Sequence, residues 1–209
     1  MYLYTYLRAM NPFKGFNIAD WFSFYRILAI PLLAAALIWG SRDLFTWLLL
    51  ISYSTDMIDG QLARRLKLSS ARGAQLDSVG DQLTLAAGLV GIWMYETAFI
   101  HDHIWPIGVG LSLYLLQMVI AYFKYGKATA FHTYMAKTSA LLQGIFVLWA
   151  LFFGPVEWLF WAVIAIGILE TAEEITLIFM YDTWVKDVKS YFWAMRDPRR
   201  TRAGNSVAE

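Results

Sequence analysis

An all-α integral membrane protein with six transmembrane helices is the fold class the sequence predicts, and three observations predict it. Hydrophobic residues make up 59% of the 209 residues and charged residues only 16%, against about a quarter charged in a soluble domain. Six apolar stretches, each near the roughly 20 helical residues that a hydrocarbon core of about 30 Å requires, are divided by short polar or glycine-containing breaks. The basic residues sort to alternate breaks, as the positive-inside rule demands of a polytopic chain. The length suits one domain, and the absence of cysteine excludes disulfides and thiolate metal sites within it.

Residues 1–16 read M-Y-L-Y-T-Y-L-R-A-M-N-P-F-K-G-F. They have no unbroken apolar run after a basic start and no small-residue cleavage site, so a cleavable signal peptide is not expected. Tyrosines beside Arg8 and Lys14 suit a short interfacial helix at headgroup level. The six spans are expected near 19–39, 43–65, 73–96, 104–125, 136–153 and 156–181, with breaks at Gly40-Ser41, Lys67–Arg72, Thr97–His103, Gly126–Thr133 and Gly154-Pro155. Pro31 lies inside the first span, where neighbouring groups can satisfy the freed carbonyl. Residues 1–182 thus form the membrane domain and 183–209 a cytoplasmic tail. In that tail Lys186, Lys189 and Arg196 alternate with Val185, Val188, Phe192 and Trp193, a pattern suited to an amphipathic helix on an anionic leaflet, with disorder after Pro198.

Six spans put both termini on one side, together with the 65–72 and 126–135 loops. All of the 17 Lys and Arg except Arg42 sort to that side, and the opposite loops carry Asp43, Glu96, Asp102 and Glu157. The basic side is therefore expected to be cytoplasmic. A net charge of +1 offers no basic surface beyond this sorting, so a nucleic-acid partner is not expected.

Asp56, Asp59, Gly60, Ala63, Arg64, Gly73, Asp77 and Asp81 stand in the pattern D-x2-D-G-x2-A-R-x8-G-x3-D-x3-D. Aspartates are costly at bilayer depth, so four near the cytoplasmic ends of two successive spans mark a functional site. Asp56 and Asp59 are i and i+3 on the second span, and Asp77 and Asp81 are i and i+4 on the third, so each pair shares one helix face. The short basic loop makes the two helices antiparallel neighbours, and the four carboxylates converge. Alone they would repel. Two divalent cations would neutralise them, and all-oxygen ligation favours Mg²⁺, with Mn²⁺ or Ca²⁺ as competitors. Helix caps or ion pairs with Arg64, Arg65, Lys67 and Arg72 account for a lone aspartate better than for four at these spacings. Gly60 and Gly73 are read as helix-breaking glycines that let a nucleotide approach the backbone, or as close-packing positions. Arg64 is placed to hold a diphosphate in its fork.

The pattern resembles the signature of the CDP-alcohol phosphotransferase (CDP-alcohol phosphatidyltransferase) family, with every position filled. N-I-A-D-W-F-S-F-Y-R-I-L-A-I-P from Asn17 to Pro31 resembles the family's first span, and F-H-T-Y-M-A-K-T-S-A-L-L-Q-G from Phe131 its fifth. The resemblance implies transfer of a phosphatidyl or related substituted phosphate from a CDP-linked donor, CDP-diacylglycerol, to an alcohol with release of CMP. It implies Asp56, Asp59, Asp77 and Asp81 as metal ligands, with Asp77 bridging the two ions and Asp81 also acting as general base. It implies Asp59, Gly60, Ala63, Arg64 and Gly73 as the CDP pocket. Arg72 and Lys137 are candidates for the acceptor's phosphate, with a snorkelling lysine the plainer reading of Lys137. A homodimer in a prokaryotic inner membrane is also what the resemblance suggests.

Glycerol 3-phosphate is the first-choice acceptor, as in compact six-span members that make phosphatidylglycerol phosphate. L-D-S-V-G-D-Q departs from the L-D-P-x-A-D-K form of that subgroup at Ser78, Gly80 and Gln82, so inositol phosphate, serine and another alcohol stay open as acceptors. A divalent-cation-binding transporter or assembly protein without catalysis would explain the carboxylates but not Gly60 and Arg64 at signature spacing. Arg26, inside the first span, needs a partner or a water-filled cavity. Glu170, Glu173 and Glu174 in the sixth span lie outside the signature and are expected to pair with Arg26 or Lys137, or to line the active-site cavity. His132 is read as an interface residue rather than a metal ligand.

Overall fold

The computed structural model describes residues 18–66 and 71–200, with side chains placed for 24–55, 80 and 83–199. The described residues are helical with no named strand, and they divide into two compact units, residues 1–91 and 92–209. The expected interfacial helix over 1–16 lies outside the described residues. The helices that follow are α1 (Ile18–Ile38), α2 (Arg42–Leu66), α3 (Ala71–Tyr95), α4 (Thr97–Asp102), α5 (Ile104–Tyr125), α6 (Tyr134–Phe153), α7 (Glu157–Met180) and α8 (Tyr191–Ala194), then a 3₁₀ turn, Pro198–Arg200. Each predicted span coincides with one long helix, to within about two residues at either end. Of these, α5 and α6 are long and apolar enough to cross a membrane on length and composition alone.

In the first unit, α1 runs through Pro31 without interruption. It ends in a Schellman turn: Gly40 N–H donates to Leu37 O and Ser41 N–H to Ala36 O, both at 3.0 Å. Gly40 has φ +69°, a conformation that glycine adopts without a Cβ penalty, and this reverses the chain into α2. Arg26, Ala29, Leu33 and Ala36 form the buried stripe of α1, at helical spacing. On α2 the buried stripe is Phe45, Leu49 and Ser52, with Thr46 beside it. The two helices pack as a hairpin.

In the second unit, α7 packs against both α5 and α6. One end is aromatic. Phe99 stacks on the His103 ring at 4.2 Å, and Phe160 packs edge-on to both. At the other end the core is Ala121, Phe131, Leu177, Ile178, Tyr181, Val188 and Ala194. Outward faces stay apolar: Phe123 on α5 is 89% exposed, as a lipid-facing residue would be in the absence of lipid.

The expected amphipathic helix after Thr183 is not formed. Residues 183–189 are non-helical, and helix returns only for the single turn of α8. The reason lies in long-range hydrogen bonds. Asp187 N–H donates to Ala130 O (3.1 Å), Val188 N–H to Phe131 O (2.7 Å) and Tyr134 N–H to Lys189 O (2.9 Å), pairing the tail with the α5–α6 connection. Val188 and Ala194 then enter the core instead of facing a bilayer. Disorder was expected after Pro198, but Pro198–Arg200 form a 3₁₀ turn in which Arg199 is held by hydrogen bonds to Asp197; the residues after Arg200 lie outside the described residues.

Candidate active site on the second and third helices

The backbone of α2 is helical through Asp56, Asp59, Gly60, Ala63 and Arg64, and that of α3 through Arg72, Gly73, Asp77 and Asp81. Their side chains lie outside the described residues. Neither Gly60 nor Gly73 breaks a helix, contrary to the expectation. A glycine inside a helix costs about 1 kcal/mol relative to alanine, and the surrounding turns absorb it here. Ala63 and Arg64 lie about one turn beyond Gly60 on the unbroken helix.

The level at which the two helices present their aspartates follows from a contact nearer their other ends. A β-carbon built on Gly91 of α3 would overlap the edge of the Phe45 ring of α2, at Cε1 and Cζ. Gly91 near the end of α3 thus meets Phe45 near the start of α2, so the helices run antiparallel. Helices rise about 1.5 Å per residue, so equal steps from that contact stay level. Fourteen residues on from Phe45 is Asp59, and fourteen residues back from Gly91 is Asp77. Asp56 is likewise level with Gly80, the residue before Asp81. The four aspartate positions therefore occupy one band, about one turn deep, on neighbouring helices. Carboxylates converging from two helices at one level would form a hard oxygen donor set of the kind that suits a divalent cation. Among the residues whose side chains are described, no group of three or more His, Asp or Glu is arranged to hold a metal.

Arg26 of α1 packs beside this band. It is 1% exposed. A β-carbon built on Gly80 would meet Arg26 Cβ and Cζ at 3.5 Å and Nε at 3.6 Å. The sequence flagged Arg26 as a charge in need of an environment, but nothing in it pointed to Gly80.

The second unit holds the other polar residues. Lys137 is exposed one turn into α6, its ammonium 6.0 Å from the centre of the Tyr134 ring. The expected ion pair between Lys137 and the α7 glutamates is absent among the described residues. Glu174, buried, accepts instead from Gln117 Nε2 of α5 and from Thr129 Oγ1 (2.8 Å). Glu173 Oε1 accepts from the backbone N–H of Tyr191 at 2.9 Å. Neutral donors suffice because a charged partner would add a second desolvation cost at this depth. His132 is exposed with φ +55° in the α5–α6 connection.

Comparison with known proteins bears on the band directly. A curated CDP-diacylglycerol–glycerol-3-phosphate 3-phosphatidyltransferase of Haemophilus influenzae is 34% identical over 87 residues, 40% of this chain and 47% of that protein. The enzyme of the same description from Blochmanniella floridana is 29% identical over 108 residues, 50% of this chain and 54% of its own length. The chloroplastic/mitochondrial form 1 of Arabidopsis thaliana is 41% identical over 68 residues, 31% of this chain and 23% of that protein. The chain thus spans about half or less of the curated relatives it matches. No solved structure matches it. The CDP-alcohol phosphatidyltransferase family model matches residues 16–170, a stretch containing α1, the whole aspartate band and most of the later helices, and the chain belongs to that family.

Proposed function

We propose that this chain transfers the phosphatidyl group of CDP-diacylglycerol to the primary hydroxyl of glycerol 3-phosphate and releases CMP. The observation that carries the reading is the complete aspartate pattern on two unbroken antiparallel helices whose register levels Asp59 with Asp77. The names of the relatives favour glycerol 3-phosphate over inositol phosphate or serine. All six long helices are read as spans, with both termini and the aspartate band at the cytoplasmic face of an inner membrane. The described helices match the predicted spans in length and position, and the basic residues sort as that topology requires.

In this reading Asp56, Asp59, Asp77 and Asp81 hold two divalent cations, Mg²⁺ first, with Mn²⁺ able to replace it. When bound, these ions supply positive charge to the diphosphate and to the departing CMP. The chain's own groups do the rest. Gly60 and Ala63 leave room for the cytidine, Gly73 lets the diphosphate approach the start of α3, and Arg64 grips it through paired N–H donors. Asp81 accepts the acceptor's hydroxyl proton as the oxygen attacks the phosphatidyl phosphorus. The bond from that phosphorus to the bridging oxygen breaks, and CMP leaves with the electron pair. Arg72 and Lys137 are candidates for the acceptor's own phosphate. A donor with two acyl chains explains a polar site at membrane depth, since the headgroup stays at the band while the tails pass between helices into lipid.

Acceptor-dependent CMP release by the purified chain with CDP-diacylglycerol, Mg²⁺ and a panel of acceptors tests the reading. Release with glycerol 3-phosphate, lost in Asp81→Asn, supports it. No release with any acceptor from folded protein removes it.

A further inference from the structure

We infer that Arg26 is a positioning residue that sets where α3 presents Asp77 and Asp81. The inference rests on the proposed function, because it assigns the aspartates to metal binding, but its evidence is a contact outside the signature. Three atoms of Arg26, from Cβ to Cζ, lie 3.5–3.6 Å from the place a Gly80 β-carbon would occupy. The side chain therefore lies along α3 instead of touching it with its tip. An Arg26 Cβ that close also means that the α1 and α3 backbones come near one another at this point, where a single added carbon would make ordinary contact and a larger side chain would have to displace Arg26.

Gly80 immediately precedes Asp81 and follows Asp77 by three residues, so it sits within the turn that carries both. A guanidinium at 1% exposure is an expensive group to bury. Its planar, rigid end makes it a better wedge than a flexible ammonium. Farther along the same helix, Gly91 meets Phe45 of α2. Among the described residues, two glycine contacts hold α3, one against α1 and one against α2. Only the Arg26 contact is beside the aspartates. A shift of α3 there would change the distance between its carboxylates and those of α2, while the hairpin of α1 and α2 stayed intact.

Mn²⁺ binding to the full chain in detergent, followed by its electron paramagnetic resonance spectrum and titration, tests this apart from turnover. Supporting groups around a metal site alter affinity about 10–100-fold when removed. Arg26→Met, which keeps the stem and loses the planar head, is expected to weaken Mn²⁺ binding at least about tenfold and to change the bound-ion spectrum. Arg26→Lys restores charge without the wedge and is expected to recover only part of the loss. At Gly80 the loss grows from Gly80→Ala to Gly80→Val, because alanine makes ordinary contact with Arg26 and valine must displace it. Arg26→Met combined with Gly80→Val is expected to bind Mn²⁺ no worse than the poorer single variant, since both act through one contact. Should Gly80→Val fail to fold, the Arg26 variants decide alone. Wild-type affinity and spectrum in Arg26→Met would overturn the inference, as would losses that merely follow the fall in melting temperature. A wild-type chain that binds Mn²⁺ but releases no CMP would count against the proposed reaction and leave the Mn²⁺ comparison to decide on Arg26. A wild-type chain that binds no Mn²⁺ removes both.

Discussion

The Tyr181 hydroxyl at the end of α7 donates to Asp197 Oδ2 at 2.8 Å, closing the C-terminal segment over the helix from which it departs. Arg199 completes the lock. Its Nε and terminal nitrogen reach the same carboxylate at 2.9 and 2.8 Å, and its other terminal nitrogen donates to Lys186 O at 3.1 Å. Arg199 also lies 5.1 Å over the Trp193 ring.

This lock has a pH dependence whose sign can be worked out. Burial pushes the Asp197 carboxyl up, but hydrogen bonds from the Arg199 side chain and backbone and from Tyr181, with the Arg199 charge, outweigh it and hold the group below the usual carboxylate range. A depressed carboxylate stabilises the fold above its unfolded value, about 3.9, and the contribution disappears as pH falls through the lower folded value. The tail is therefore expected to stay closed from neutral pH to about pH 4 and to open only below that. Asp197→Asn should cost about 1–3 kcal/mol at neutral pH, since it removes the charge from a hydrogen-bonded, buried group. It should also flatten the acid transition. Trp193 fluorescence against pH in both proteins reads this out, and an unchanged acid transition in Asp197→Asn would refute it.

Glu174 offers a second test, because its partners are neutral. Glu174→Leu removes the acceptor shared by the Gln117 amide and the Thr129 hydroxyl, leaving them only the 3.2 Å hydrogen bond from Gln117 Nε2 to Thr129 Oγ1. A loss of about 1–3 kcal/mol is expected in thermal or denaturant unfolding. Lys137→Met should change stability by less than about 0.5 kcal/mol, as an exposed side chain outside any described ion pair. A larger loss at Lys137 than at Glu174 would reinstate the ion pair that the sequence suggested.

What was legible in the sequence was whatever depends on local pattern. Gly40 and Gly126 stand at left-handed turns that end α1 and α5, so the boundaries could be read from breakers. The aspartate spacing fixed which residues share a face before any helix was seen. What was not legible depends on residues distant in sequence. Lys186, Lys189 and Arg196 alternate with apolar residues as an interfacial helix would, yet Val188 is drawn into the core by Phe131 and Tyr181, 57 and 7 residues away respectively in the chain. The glutamates of α7 suggested a basic partner because charge is visible in a sequence. The neutral donors that hold Glu174 look like ordinary polar residues. Nothing local to Gly80 or Gly91 tells what approaches them; only the fold does.

If the aspartates hold a divalent cation as proposed, removing it should have two effects of opposite sign on wild type and variants. In the ion-free protein the leveled aspartates repel, so Asp59→Asn or Asp77→Asn is expected to be as stable as wild type or more so without metal. With Mg²⁺, wild type should gain about 2.7 kcal/mol at a concentration a hundred times the dissociation constant, and the variants much less. Melting curves with a chelator and with graded Mg²⁺ separate the two. A variant less stable than wild type in chelator, with an undiminished Mg²⁺ response, would show that the aspartate is a structural group and not a ligand.

Gly91 and Phe45 make the sharpest steric prediction. Phe45 is fully buried on α2, and its ring occupies the place a β-carbon on Gly91 would need. Gly91→Ala normally gains helix propensity, about 1 kcal/mol. Here the ring cannot yield without moving α2 or leaving its rotamer, which costs typically 1–3 kcal/mol in a packed site, so the net change should be a loss. Phe45→Leu alone should lose stability by opening a cavity. Together the two changes should recover part of both losses, because the added methyl enters the space the ring vacates. A double-mutant cycle with favourable coupling of about 0.5–3 kcal/mol is the expected result. Because this contact also sets the register that levels Asp59 with Asp77, Gly91→Ala should weaken Mn²⁺ binding as well, and the Phe45→Leu partner should restore it. Additive stabilities, with Mn²⁺ affinity unmoved in Gly91→Ala, would mean that the contact neither limits the packing of α3 on α2 nor governs the register of the aspartate band.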